Sequence, residues 1–326
     1  MKPYYLILVF SIGLLLQSCN NADEPSGGVN SGKKAIFVSA EDAASSARAS
    51  VPAGMCDNFK VNTSLEMKGT RMSVMDGYEV KFKADEWSYL TETQHIVYWN
   101  GNADRYLFNA GAPIDSVTSI SASEMKLYLE NNTRGSVLAS TPLEVKNGTA
   151  EFGNAVGLRF NYVHSRIRVG FIKNVANETT ISDFTLTPAN EIASKANATY
   201  TYDWTATPPT ASASVNVTAT SSAAFNYKGV TIPANTETAV LSPTRYYCVP
   251  VANNPSNWTI SFTCDGEAKS ASFINDKAWE IGKEYIYIFS LKDITPKLVY
   301  VLSKDTYFDC NDILPGDVLS DADMTE

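Results

Sequence analysis

The sequence predicts an all-β chain built as antiparallel sandwiches. Three observations carry that reading. Short segments alternate Val, Ile, Tyr and Phe with polar residues, turn dipeptides punctuate them, and their spacing leaves little room for crossover helices. In the first half the strand candidates are 35–39, 59–65, 78–82, 95–99, 106–109, 156–162 and 166–172. Asp76-Gly77, Asn100-Gly101 and Asn147-Gly148 supply the positive φ that tight antiparallel connections need. In the last of these strands Arg166, Arg168 and Gly170 alternate with Ile167, Val169 and Phe171, which predicts one buried face and one wet face. Ser121 to Glu130 is the exception. It opens on Ser121 or Ser123, carries Met125, Leu127, Tyr128 and Leu129, and is read as a short helix of ambiguous period.

The second half continues in the same style with less charge and more Thr, Ser, Asn and Ala. Its strand candidates are 184–186, 198–202, 214–218, 237–241, 246–251, 258–263, 269–273 and 285–291, with Pro208-Pro209, Pro233 and Pro255 marking loops or edges. The apolar pattern lapses between Asn174 and Thr180, so an N-terminal domain over 35–176 and a C-terminal domain over 177–326 are expected. Composition agrees with packed domains: of 326 residues, 44% are hydrophobic and 19% charged, which excludes a mainly disordered chain. The net charge of -9 excludes phosphate-backbone binding as a principal role, because that needs a surplus of Lys and Arg.

The first residues point to export. Lys2 precedes an apolar run from Tyr4 to Leu16, and Leu16-Gln17-Ser18-Cys19 follows it. Residues 1–18 thus read as a lipoprotein signal peptide. Its end resembles a bacterial lipobox, which implies lipid on the Cys19 thiol, a palmitate-type acyl anchor and an outer-membrane precursor. Gly-, Ser- and Asn-rich residues 19–34 read as a tether. Four cysteines remain, Cys56, Cys248, Cys264 and Cys310. In an exported chain two disulfides are one reading, with Cys248 and Cys264 closing a modest loop, and buried thiols are the other.

Chemistry-bearing motifs are missing. The sequence has no GxSxG elbow, HExxH, phosphate loop or EF-hand loop, and its only histidines are His95 and His164, so no enzyme, metal or cofactor is expected. Asp57, Asp76, Asp85 and Glu86 are scattered carboxylates with nothing to single out a glycosidase pair. His164 on a strand edge is read as a hydrogen-bonded structural residue, and Trp87, Trp99, Trp204, Trp258 and Trp279 as core aromatics in preference to sugar platforms.

Several segments together resemble the fimbrillin-like family of the Bacteroides and Porphyromonas group, whose members are type V pilus subunits made as lipoproteins. They are Lys34 to Val38; Trp87-Ser88-Tyr89 with His95 to Trp99 and Arg105 to Ala110; Val156 to Val169; and Trp279 to Tyr287. The acidic C-terminal tail, Asp305 to Glu326, departs from the family pattern, which leaves the position in the fibre open.

The resemblance implies two tandem transthyretin-like sandwiches and polymerisation by donor-strand exchange. An Arg- or Lys-specific surface protease removes the first strand, and another subunit's strand fills the vacated groove. In this sequence Ala35 to Ser39 is that strand. Arg48-Ala49, in the small-residue run from Ala40 to Ala49, is the expected cleavage site, with Arg71 as runner-up. Leu298, Val299, Tyr300, Val301 and Leu302 form the expected donor, within 297–314, with Leu298, Tyr300 and Leu302 on one side. Partners are then other pilus subunits, the protease and, for the precursor, the outer membrane; nucleic acid is not among them. The mature product is a cell-surface fimbrium with a stalk, accessory or tip role in adhesion. A surface glycan-binding lipoprotein of a polysaccharide-uptake system is the alternative.

Overall fold

The computed structural model describes residues 34–41, 57–83, 86–89, 94–172, 176–234, 239–250, 256–275, 278–291 and 297–305. The signal, the tether up to residue 33, lipidation cysteine Cys19, cleavage pair Arg48-Ala49, and Cys56 and Cys310 lie outside them. Among the described residues the chain is all-β, with one 3-10 turn at Ile114–Ser116 and no α-helix.

The strands are β1 (Val38–Glu41), β2 (Asn58–Met67), β3 (Thr70–Lys83), β4 (Glu86–Ser88), β5 (Arg105–Ala112), β6 (Val117–Ile120), β7 (Glu124–Glu130), β8 (Leu138–Ser140), β9 (Leu143–Lys146), β10 (Val156–Tyr162) and β11 (Ser165–Ile172). They continue as β12 (Thr179–Pro188), β13 (Ile192–Asp203), β14 (Thr210–Ser221), β15 (Phe225–Tyr227), β16 (Val230–Ile232), β17 (Val240–Leu241), β18 (Tyr246–Cys248), β19 (Ser256–Cys264), β20 (Glu267–Asn275), β21 (Lys283–Ser290) and β22 (Lys297–Asp305). One sheet runs β1-β10-β8-β5-β2-β3-β4, with β9 also on β5; a second runs β17-β11-β21-β22; a third β15-β12-β19-β20; and a fourth β14-β13-β7-β6.

Three larger apolar clusters hold these sheets together. The first gathers residues from Ile36 to Tyr162 and the second residues from Ile167 to Leu291. The changeover falls between β10 and β11, ahead of the 174–180 segment where the apolar pattern lapses in sequence. The third joins β7 to β13 around Leu127, Leu129, Ala196 and Ala198, so a hairpin from the later half completes a sheet begun in the earlier one.

Four local expectations are corrected. Ser121 to Glu130 is a β-turn into strand β7, in which Met125, Leu127 and Leu129 are buried in strict alternation. Ser121 Oγ accepts the Glu124 N–H at 3.1 Å, the bond an N-cap would make, but here it closes the turn from β6. Asp76-Gly77 is a bulge: Val61 faces Tyr78 and Thr63 faces Met75, so two residues of β3 oppose Asn62, with Gly77 at φ +63°. The actual β2–β3 turn is Lys68-Gly69, at φ +52° and +77°, a pairing that matches strand twist. Cys248 and Cys264 are both buried, on the β18–β11 and β12–β19 ladders, and no disulfide joins them.

The fourth correction concerns β11, which is buried on both faces. Arg166 and Arg168 are 4% and 2% exposed, because parallel pairing with β21 sets Arg166 opposite the fully buried Glu284. Arg166 Nε donates to Glu284 Oε1 at 2.8 Å and its Nη2 to Oε2 at 3.0 Å, a two-pronged pair, with Arg168 Nη1 at 3.8 Å from the same carboxylate. Alternation in sequence cannot reveal this, since the neutralising charge lies on a distant strand. On the same strand Gly170 admits Leu241, whose Cδ2 would lie 2.4 Å from any added Cβ.

Removing one partner of such a pair leaves the other charge buried. Glu284→Gln is therefore expected to destabilise the fold by about 3–5 kcal/mol in denaturant unfolding; a loss below about 1 kcal/mol would show that Arg166 is neutralised by other groups.

Candidate functional site

The site suggested by the sequence is the first strand and its bed. The segment is an apolar run, Ala35 to Val38, and burial sorts it into two faces: Ile36, Val38 and Ala40 are 0%, 2% and 5% exposed, while Phe37 between them is 54% exposed. The buried row enters the same core as Phe59, Trp99, Leu158 and Phe160. At ~1.5–3 kcal/mol for each large aliphatic side chain, Ile36 and Val38 together contribute roughly 3–6 kcal/mol.

Backbone pairing holds this segment in two steps. Residues 34–36 lie against 97–99: the Ile36 N–H donates to the Val97 carbonyl at 2.8 Å, the Trp99 N–H to the Lys34 carbonyl at 2.9 Å, and Ala35 bridges Tyr98. The chain then passes to the opposite neighbour. The Val156 N–H donates to the Phe37 carbonyl at 2.8 Å, and β1 runs parallel to β10 with Val38 opposite Val156 and Ala40 opposite Leu158. Each half is paired along one side, and β1 ends its sheet. Among the described residues β1 is thus an edge strand, and the segment 34–41 as a whole has a fully buried apolar row with partners on opposite sides in its two halves.

The bed itself is pinned by two tyrosines that no sequence motif singles out for this task. The Val97 N–H donates to the Tyr89 hydroxyl at 3.3 Å and the Asn100 N–H to the Tyr106 hydroxyl at 2.7 Å. Burial raises the pKa of both phenols above the ordinary tyrosine value, so they remain neutral acceptors. Trp99 packs on Tyr106 and Phe152 with ring centroids 4.7 and 4.9 Å apart.

The expected donor residues lie on β22, which pairs antiparallel with β21 and ends its own sheet. Leu302, Val301 and Tyr300 stand opposite Ile286, Tyr287 and Ile288. A one-residue shift then places Leu298 opposite Phe289, so Val299 falls in the irregularity and the unbroken register expected for 298–302 is interrupted. The runner-up cleavage residue Arg71 sits in the β2–β3 ladder opposite Glu66, 3.5 Å from its carboxylate.

The remaining candidates are structural. Trp99, Trp204, Trp258 and Trp279 are 2–6% exposed, and Trp87 packs against Phe59 and Phe82, so these rings serve cores. A cleft of about 910 Å³ is lined by Asp57, Asp115, Tyr128, Glu130, Arg134 and His164. His164 is committed within its wall: Nδ1 accepts the Val137 N–H at 3.0 Å. Burial pushes its pKa down to about 4, with the Glu130 carbonyl opposing more weakly, so the ring is neutral near pH 7.

No family model and no curated protein matches the sequence. Among solved structures, a "putative cell adhesion protein" from Bacteroides uniformis ATCC 8492 aligns over 85% of this chain and 99% of its own, with a TM-score of 0.51 at 12% identity. The two share a fold. A second "putative cell adhesion protein", from Bacteroides ovatus ATCC 8483, aligns over 83% of this chain and 95% of its own, with a TM-score of 0.46 at 12% identity. The fimbrial anchor protein Mfa2 from Porphyromonas gingivalis aligns over 85% and 99%, with a TM-score of 0.30 at 13% identity.

Two outcomes follow. Ile36→Ala should cost about 2–5 kcal/mol of stability in urea unfolding of the uncut chain, against less than about 1 kcal/mol for Phe37→Ala; equal losses would contradict the assigned faces. His164 is a group whose folded pKa lies below its unfolded value, so its contribution is complete above the unfolded pKa of about 6.5 and is lost as pH falls towards about 4. That loss should amount to about 3 kcal/mol and disappear from the pH 4–6.5 window in His164→Asn; an unchanged pH profile would contradict it.

Proposed function

We propose that this chain is a structural subunit of a type V pilus, exported as a lipoprotein, cut after Arg48 and polymerised by donor-strand exchange to serve adhesion. The observation that carries the proposal is the first strand: its apolar row is wholly buried, yet its backbone is paired along one side at a time. Such a strand can be withdrawn without dismantling the sheet, and its withdrawal exposes unpaired backbone at 97–99 and 156–159 beside an apolar trough. A strand from another subunit would satisfy both at once, by backbone bonding and side-chain burial.

The shared fold with a protein described as a cell adhesion protein supports this reading. So does the place of the expected donor. Leu298 to Leu302 sit on a terminal strand at the edge of a sheet, where detachment breaks one ladder only. Once free, the sequence alternation puts Leu298, Tyr300 and Leu302 on one side, the same period as Ile36, Val38 and Ala40. In this scheme Cys19 bears the lipid of an outer-membrane precursor, and a surface protease specific for Arg or Lys releases the chain into the fimbrium. Its role is structural, without catalysis or cofactor. A stalk or accessory position fits a subunit with both an acceptor bed and a detachable tail. The tryptophans that a glycan binder would present are used in cores, so no observation favours that alternative.

The test is the N-terminus of the surface protein and its response to Arg48→Ala. The proposal expects a mature chain beginning at Ala49 and SDS-resistant ladders that the substitution abolishes. A mature chain still acylated at Cys19, or ladders unchanged by the substitution, would refute it.

A further inference from the structure

The sheet edges of this protein are unequal. Among the described sheets, β1, β4, β6, β15 and β17 end their sheets with four residues or fewer. Longer edges carry charge: β20 has Glu267 and Lys269, and β22 has Lys297, Lys304 and Asp305. Short length and charge are the usual protections against edge-to-edge pairing. The strand β14 has neither. It is a 12-residue edge without a charge or a proline, and no charged residue occurs between Asp203 and Lys228. Its residues are exposed or half-buried throughout, and its one ladder among the described residues is with β13.

Its sequence is also nearly symmetric about Asn216. Val215 mirrors Val217, Ser214 mirrors Thr218, Ala213 mirrors Ala219 and Ser212 mirrors Thr220. Antiparallel pairing of the strand with its own copy about that residue sets valine against valine and hydroxyl against hydroxyl, with Asn216 facing Asn216 on the two-fold axis. These are favourable cross-strand pairs. The β13–β14 register is regular from Thr210 to Val217 and shifts at Thr218, so the joint is centred on the Val215–Val217 pairs and the half from Thr210 to Asn216 is the straighter one. Towards the protein, Val215 and Val217 stand opposite Ala198 and Ala196 on the third core cluster, and Val217 is 40% exposed. That apolar surface stops at the edge and would be continued by the same surface of a second copy.

We propose that two copies of this chain pair through β14, forming a closed dimer with one continuous eight-stranded sheet. The pairing is isologous: each copy uses the same edge, and joining consumes both, so growth stops at two. It is separate from strand exchange, which uses β1 and β22, and it needs no cleavage.

The test is sedimentation of the full, solubilised chain carrying Arg48→Ala, which excludes assembly by cleavage. A monomer–dimer equilibrium is expected. Asn216→Lys places two positive charges directly opposite each other and should weaken the dimer by at least about tenfold, as should Asn216→Glu. Mixing the two variants should restore pairing. Asn216 is exposed, so thermal unfolding of the diluted variants should match the parent, which separates lost pairing from lost folding. A parent that is monomeric at every concentration, a dimer indifferent to Asn216→Lys, or open-ended aggregates in place of dimers would overturn the proposal.

Discussion

The burial of Ile36, Val38 and Ala40 beneath a strand paired along one side at a time is the contact on which the rest of this structure depends. Apolar burial scales with area and does not ask which chain supplies it, whereas a backbone ladder fixes direction and register. The first strand separates these two requirements. Ile36, Val38 and Ala40 are buried, while the backbone changes partner from 97–99 to β10 within a few residues. A central strand could not be removed without orphaning polar groups on both sides. Here loss of the strand orphans one row at each point, and an incoming strand can answer both rows.

The same constraint orders the rest of the fold. A sheet must end somewhere, and the ends are dealt with in different ways: by shortness at β4 and β6 and by charge at β20 and β22, while β14 has neither. The interior answers a related problem at β11. A strand with a buried neighbour on each side cannot leave a polar face in water, so Arg166 and Arg168 converge on Glu284. Buried ion pairs of this kind contribute little net stability over apolar packing, but breaking one leaves an uncompensated buried charge. That suits a strand on which Ser165 to Ile172 must align against three different neighbours.

Much of the architecture was legible in the sequence, because period-two alternation is a local property. It located Val156 to Tyr162, Arg166 to Ile172 and Tyr285 to Leu291 as strands, and it marked Ala35 to Ser39 as the first. What escaped was what depends on distant residues. Ser121 offers the same hydroxyl to a turn as to a helix cap, and tertiary burial of Met125, Leu127 and Leu129 decided for the strand. Asp76-Gly77 has turn chemistry but lies where an extra residue is absorbed as a bulge. The two tyrosine hydroxyls that pin 97–100 could not be read as such, since nothing local links Tyr89 to Val97. In the candidate site, the strand was visible, and its two faces and its division between two partners were not.

The most direct measurement is hydrogen exchange at the backbone amides of the bed, above all Trp99 and Val156, in three states: uncut chain, cleaved monomer and assembled fibre. These amides donate to residues 34 and 37 of the first strand. The account predicts strong protection in the uncut chain, its loss on cleavage and its return in the fibre. Amides that stay protected after the strand is gone, or that remain open in the fibre, would contradict it.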